Sequence, residues 1–417
     1  MAVTTTTTLD ASVVTAYERD YLLAFMQKKV WATLCWQRML RKVVGGRDLA
    51  GKTVQVPVYE PLSVPTASLT EHLDVTPEAW ADSSVSITIA EEGNVVQKTR
   101  MLNMTSYVEL GQPIASAIGQ NMAKRVDRII RDAVVFNATD VIYGGTATSR
   151  VTCDTTADKI TYAKVVEAVV RAQNRGVPSF PDGSYATVVN PALMADVVGL
   201  TEWTAVAEYS DPTMIVTGDI SVIGKGGRFP DEKGRLFNLR FLTHEYGKLF
   251  LGAGTAAQAA TSLSADAAAG ATSLSVGDAT GFAAGTYVTV GTLESSTTAQ
   301  PTTEQVLITA VDGTTLTIRG AGNAFGNWGL KFAHSSGASV IEAPNVAAIP
   351  VLGPESMVLA FADEVGQDGE VAIEWASTNI PRRFQNHSWY WVGGSAIVDK
   401  NVVMLEVATT GNILGEN

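Results

Sequence analysis

The stretch Gly46–Thr53 reads GRDLAGKT and matches the phosphate-binding pattern G-x-x-x-x-G-K-[ST] letter for letter. In such a loop, backbone N–H groups and the N-terminus of the following helix surround phosphate oxygens while the lysine adds a cation. That chemistry needs a buried strand before the loop and a helix after it. Here a charged helical stretch comes first, and Val54-Gln55-Val56-Pro57-Val58-Tyr59 follows as an alternating strand whose Pro57 is unfit for a helix interior. With the order reversed, the residues read as a glycine-flanked turn into a strand. A nucleotide-binding enzyme using Gly46–Thr53 is the alternative.

The other chemically capable residues are scattered. His72, His244, His334 and His387 lie far apart, and none pairs with another ligand at metal spacing. The acid pairs Glu91-Glu92 and Asp363-Glu364 sit in turn-like sequence, where solvated charge explains them. Gly224-Lys225-Gly226-Gly227 reads as a turn. Two cysteines, Cys35 and Cys153, are too few for a disulfide framework or a cysteine zinc site, and Cys35 falls in an amphipathic stretch suited to a buried thiol. Neither a G-x-S-x-G elbow nor an H-E-x-x-H helix occurs. The residues therefore define no catalytic, cofactor-binding or metal site.

The elements that would position any site are clearer. Leu110–Asn137 is the longest helical pattern, with Ile114, Ile118, Met122, Val126, Ile129, Ile130, Ala133 and Val134 on one face. Lys124, Asp127, Arg128, Arg131 and Asp132 mark the opposite, solvent-facing side. Before it, Ala16–Val44 is helical in pattern, residues 60–83 form an extended loop, and Ser84–Ala90 alternates as a strand that breaks at Glu91-Glu92-Gly93-Asn94. After it come a helix over Thr161–Arg175 with Val165, Val166, Val169 and Val170 inward, a strand Tyr185–Val189 and a helix started by Pro191. From Gly252 to Ser339 charge thins, and Ala, Gly, Thr and Ser dominate. Val306–Val311, Asp312-Gly313 and Leu316–Ile318 form a hairpin within this all-β stretch. Core-like sequence returns at Asn345.

The 417 residues carry a net charge of −12 and 46% hydrophobic residues, a globular balance. The first 52 residues hold +4, leaving the rest at −16, which argues against a freestanding nucleic-acid binder. No apolar run reaches the roughly 18 residues that cross a bilayer. MAVTTTTTLD lacks the charged and apolar regions of a signal peptide, so a reducing cytoplasm is expected.

In order, GKTVQVPVYEPL (Gly51–Leu62), LTEH (Leu69–His72), AKRVDRIIRDAV (Ala123–Val134), VVNPALMADV (Val188–Val197), GDISVIGKGGRF (Gly218–Phe229) and VAIEWAST…WYWVGG (Val371–Gly394) resemble the N4-like major capsid family of tailed bacteriophages. The stretches cover about 300 residues in the right order. The resemblance implies an α+β Hong Kong 97-type fold: residues 1–52 the N-terminal arm, 53–105 an extended β-hairpin loop, 106–145 the spine helix, and 146–251 the first part of the peripheral and axial domains. It makes residues 252–344 an inserted small all-β domain and 345–417 the closing strands. The implied function is a coat protein that self-assembles into pentamers and hexamers of an icosahedral shell around double-stranded DNA. Implied partners are further copies of itself and scaffolding, portal and decoration proteins, with no cofactor, no membrane and no sequence-specific DNA binding. The implied location is the virion, after assembly in the host bacterial cytoplasm. A virion decoration or surface-array protein is a further alternative.

If Gly46–Thr53 is a turn, Lys52→Ala leaves calorimetric titrations with ATP and GTP as flat as those of the unaltered chain. Saturable binding abolished by that substitution would restore the enzyme reading.

Overall fold

A computed structural model describes residues 40–45, 53–59, 82–105, 111–205, 232–255, 259–294, 300–322, 328–354, 356–362, 372–376 and 384–416. The chain divides into two compact units: one of Met1–Leu34, Arg41–Val126 and Val358–Val398, the other of Cys35–Leu40, Asp127–Met357 and Asp399–Asn417.

In the first unit, β1 (Leu40–Gly45) is a strand where the pattern predicts the end of a helix. Its adjacent valines, Val43 and Val44, favour the extended form once a sheet edge is on offer, and β1 pairs with β18 (Met357–Ala362). The remainder of the expected arm helix lies outside the described residues. β2 (Thr53–Tyr59) and β3 (Asp82–Thr88) form an antiparallel ribbon running from Thr53↔Thr88 to Tyr59↔Asp82. The alternation expected of them holds: Val56 and Ile87 are buried against Val358 and Ala360, while Gln55 and Ser86 are exposed. Among the described strands β2 pairs only with β3, and Pro57, which has no N–H to leave unpaired, suits such an edge.

The break expected at Glu91–Asn94 does not occur. β4 (Ala90–Thr99) continues through it, paired with β20 (Phe384–Ile397) from Ala90↔Gly393 to Thr99↔Phe384. Gly93 permits this, because a Cβ there would stand 2.9 Å from the Trp389 carbonyl oxygen. The polar residues flanking it are used by a helix, as described below. β19 (Ala372–Ala376) completes a five-stranded sheet ordered β1-β18-β20-β19, with β4 also on β20. α1 (Arg100–Thr105) follows β4 directly.

The helical pattern at Leu110–Asn137 becomes α2 (Gly111–Asn137), which gives residues 111–126 to the first unit and 127–137 to the second. Ile118, Met122, Val126, Ile130 and Val134 are buried as their spacing requires, whereas Ile129 is only half-buried. Asp127 and Arg131, expected in solvent, are 0% and 2% exposed. Arg131 donates from Nε to the Asp132 carboxylate at 2.9 Å, so this turn carries charge inward. Periodicity finds the apolar stripe but does not reveal a second covered face.

The second unit is built on an eight-stranded sheet. In chain order its elements are β5 (Val141–Tyr143), α3 (Tyr162–Asn174), β6 (Tyr185–Val189), α4 (Pro191–Val198), β7 (Thr204–Ala205), β8 (Glu232–Leu236), β9 (Leu239–Thr243), β10 (Leu249–Phe250), β17 (Asn345–Leu352) and β21 (Val402–Thr409). The order across the sheet is β5-β21-β17-β6-β9-β8-β7, with β10 on β17. β6, β17 and β21 are buried throughout, which is why they read as near-continuous apolar runs. The Thr161 hydroxyl accepts the Lys164 N–H to cap α3, and Gly176 ends that segment at φ +72°. Val165 and Val169 enter the core as expected, but Val170 is exposed and Val166 only half-buried. Asn190 caps α4 through the Ala192 N–H at 2.9 Å, with Pro191 in the first turn.

Between β10 and β17 the chain forms a sheet of its own. β11 (Ala259–Ser262), β12 (Ser273–Ser275), β13 (Tyr287–Val290), β14 (Glu304–Asp312), β15 (Thr315–Arg319) and β16 (Ser339–Glu342) are ordered β11-β16-β13-β14-β15-β12. A Leu263↔Val276 bridge, with Ser264 N–H to Ser275 O at 2.9 Å and Gly277 N–H to Ser262 O at 3.0 Å, joins the first strand to the last. The six strands thus close into a barrel. Leu274, Val276, Val288, Val290, Val306, Ile308, Leu316 and Ile318 fill it as the alternation predicts, with Tyr287 half-buried. The hairpin at Asp312-Gly313 is present, with Gly313 at φ +56° and a register shift between Ile308 and Ala310.

Ile130→Ala should lower stability by about 2–5 kcal/mol, because the site is closed on all sides. Lys124→Ala, at an exposed position, should cost well under about 1 kcal/mol. Urea unfolding of both variants checks the difference, and equal shifts would misplace the core face.

Candidate functional site

The residues that could do chemistry do not converge. Gly46–Lys52, His72, Gly224–Gly227, Cys35 and Asp363-Glu364 lie outside the described residues. Thr53 opens β2, so a strand occupies the place where a phosphate loop needs its helix. His244 stands beside Tyr246 with ring centroids 4.8 Å apart. His334 lies 3.1 Å from the buried Glu304 carboxylate. His387 is buried, and burial followed by the nearby Lys98 charge pushes its pKa down to about 4, leaving it neutral at pH 7. Cys153 is buried, and burial followed by the Asp158 charge pushes its thiol up to about 12, far from a nucleophilic thiolate. Among the described residues no three His, Cys, Asp or Glu side chains gather as metal ligands, and no helix is long and apolar enough to cross a membrane.

What does converge is structural charge that the sequence pattern did not single out. On β9, Arg240 donates to Asp182 at 2.5 Å, to Glu232 at 3.1 Å and to the Ser184 hydroxyl at 3.0 Å. Burial works to raise the Asp182 pKa, but the Ser184 hydroxyl and the Arg240 guanidinium outweigh it and hold the carboxyl below its ordinary range. Lys248, 1% exposed, places Nζ 2.7 Å from the Glu294 carboxylate and 5.3 Å from the centre of the Phe250 ring. Burial, then the Arg131 charge, lowers its pKa to about 8 despite that partner.

The outward-facing residues of the first unit are of a different kind. β4 is exposed along most of its length, and with α1 it presents Val95, Val96, Leu102 and Met101, the last 74% exposed. Exposed apolar side chains of this size in adjoining elements mark a surface that suits association. The scaffold beneath is fixed. Arg125 makes a two-pronged ion pair with Glu92 at 2.9 and 2.7 Å, and Asn121 accepts from Asn94 at 3.2 Å and from the Trp389 indole at 3.0 Å. These are the polar residues of the supposed break in β4, now anchoring the first half of α2.

The long helix, the strand ribbon and the mixed sheets define a Hong Kong 97-type fold of mixed α and β content. The solved structure that carries this assignment is the capsid of Ralstonia phage GP4, matched at TM-score 0.56 over 90% of this chain and 88% of that chain, with 11% identity. The acid-stable capsid of Helicobacter pylori bacteriophage KHP30 matches at TM-score 0.46, with 11% identity over 88% of each chain. The capsid of cyanophage Pam1 also matches at 0.46, with 12% identity over 89% of each. No family model and no curated protein matches by sequence.

Lys248→Met strands Glu294 in a buried place and should cost about 3–5 kcal/mol at pH 7, most of which Glu294→Gln in the same chain restores. The lysine is held near 8 in the folded chain against 10.5 in the open one, so the unfolded chain binds the extra proton between those values. Stability of the unaltered protein, relative to the double variant, should therefore rise as pH goes from about 8 to 10.5. Urea midpoints across that range check the sign.

Proposed function

We propose that this chain is the major capsid protein of a tailed bacteriophage, of the N4-like major capsid family, and that its role is structural rather than catalytic. The observation that carries the reading is the shared fold with the Ralstonia phage GP4 capsid over nine-tenths of the chain. On this reading copies associate into pentamers and hexamers of a closed icosahedral shell around double-stranded DNA, with scaffolding, portal and decoration proteins as further partners. Assembly takes place in the host bacterial cytoplasm and the product is the virion.

The geometry supports a division of labour. The β2–β3 ribbon is only two strands wide, and a ribbon of that kind gains stability from whatever covers it. With the exposed apolar residues of β4 and α1, it suits many weak contacts repeated by symmetry, which close a shell without any single strong one. The −16 charge beyond residue 52 keeps enclosed DNA from adhering, and the +4 segment before it suits an acidic partner or a neighbouring copy. Residues 1–52, 53–105, 106–145, 146–251 and 345–417 then act as arm, extended loop, spine, first part and closing part of the peripheral and axial domains. Residues 252–344 act as an inserted all-β domain, a reading supported by the closed barrel with its own apolar filling.

Purified protein should form closed shells, or rings of five and six, in electron micrographs, with megadalton particles in light scattering. A single 44.1 kDa species under every assembly condition would overturn the proposal.

A further inference from the structure

The barrel of residues 259–342 and the eight-stranded sheet have separate apolar cores with no residue in common, and buried polar contacts join them. Lys248, next to β10, meets Glu294, which follows β13. Asn345 accepts the Gly252 N–H at 3.0 Å and exchanges amide hydrogen bonds with Gln305 of β14 at 3.2 and 3.1 Å.

Residues 411–416, which leave β21, run along this seam and touch both sides of it. The Gly411 carbonyl and the Asn412 side chain accept from Asn345 at 3.0 and 3.3 Å, and the Ile413 N–H donates to Gln305 at 2.9 Å. Gly415 and Gln305 exchange two backbone hydrogen bonds of 2.9 and 2.8 Å. Glu416 then bridges Lys331 of the barrel at 2.8 Å and Arg128 of α2 at 2.7 Å. Glycine is required at both ends of the path. A Cβ on Gly411 would sit 2.1 Å from the Ala192 carbonyl oxygen, and Gly415 has φ +100°.

We propose that residues 411–416 are a strap that clamps the barrel to the eight-stranded sheet, and that opening it frees the barrel to reorient while both cores stay folded. A polar seam between two separately cored bodies behaves like a transient interface, for which relative motion is the ordinary outcome unless something holds it. Water can replace each hydrogen bond of the seam when it opens, and the apolar packing lost with the strap is that of Ile413 on the core of the sheet. The buried Lys248 adds to this, since opening would return a poorly solvated cation to water.

The test uses the full chain with Asn412→Ala and Glu416→Gln together, and separately Lys331→Met, whose side chain is 43% exposed. Hydrogen exchange should quicken at least tenfold in peptides covering 411–416 and Gln305 of the double variant, less in Lys331→Met, and stay unchanged in β13 and β17. Spin labels at Val311→Cys and Val170→Cys, in a Cys35→Ser background diluted with unlabelled protein, should give a broader distance distribution in the double variant. Unaltered exchange and distances would sink the strap. Equal acceleration through β13 and β17 would also sink it, by showing a single cooperative body.

Discussion

The eight-residue pairing of β17 with β21, from Asn345↔Thr409 to Leu352↔Val402, is the constraint on which the second unit depends. Both strands are buried on both faces, so neither has a solvent side to tolerate a slip in register. Their alignment sets everything hung on them. β17 also receives β10 and β6, while β21 receives β5. It also sets the one acid within these strands, Glu406, which is 1% exposed and paired with Arg150 through two bonds of 2.9 and 2.6 Å. A one-residue slip would turn that carboxylate to the opposite face, leaving a buried charge on each side without compensation. The Arg150 guanidinium also lies 3.4 Å from the Phe250 ring centre, so the same register seats β10.

Local sequence was informative where a local cause acts. α2, α3, α4, β6 and the Gly313 hairpin follow from period, caps and turn residues, and their limits in the structure agree to within a residue or two. It was uninformative where a distant partner decides. The helical pattern that runs to Val44 yields to a sheet edge, and Glu91–Asn94 looks like a turn until Arg125, Asn121 and β20 claim it. Asp127 and Arg131 mark a solvent face by every periodic criterion and are buried nevertheless. The Lys248–Glu294 pair and the Asn345–Gln305 amide pair join residues 46 and 40 positions apart, and nothing in either neighbourhood announces the other.

The same holds for the acids that might have suggested catalysis. Glu304, 0% exposed, accepts the backbone N–H groups of Lys331 and Phe332 as well as facing His334. Asp158 accepts from the backbone N–H groups of Thr146, Ala147 and Asp154. Loops that pass over a core leave donors that must be satisfied, and a carboxylate answers several at once. Glu304 and Asp158 tie down backbone, which is a sufficient reason for their burial.

Phe250 and Val346 face one another across an antiparallel pair, so the chain departs from the parent sheet and rejoins it about one strand spacing, roughly 5 Å, away. That junction works as a socket. On the proposed reading of residues 252–344 as an inserted domain, a self-contained module whose two ends lie side by side would take that place without a shift in the register of β17. A closed barrel brings no bare strand edge. A lineage could exchange its cargo at this point, and an experimenter could mount a foreign domain in the same place. The socket is keyed, however, by the amine of Lys248 and the buried amide of Asn345: a replacement must present partners where Glu294 and Gln305 stand, or those two residues must change with it.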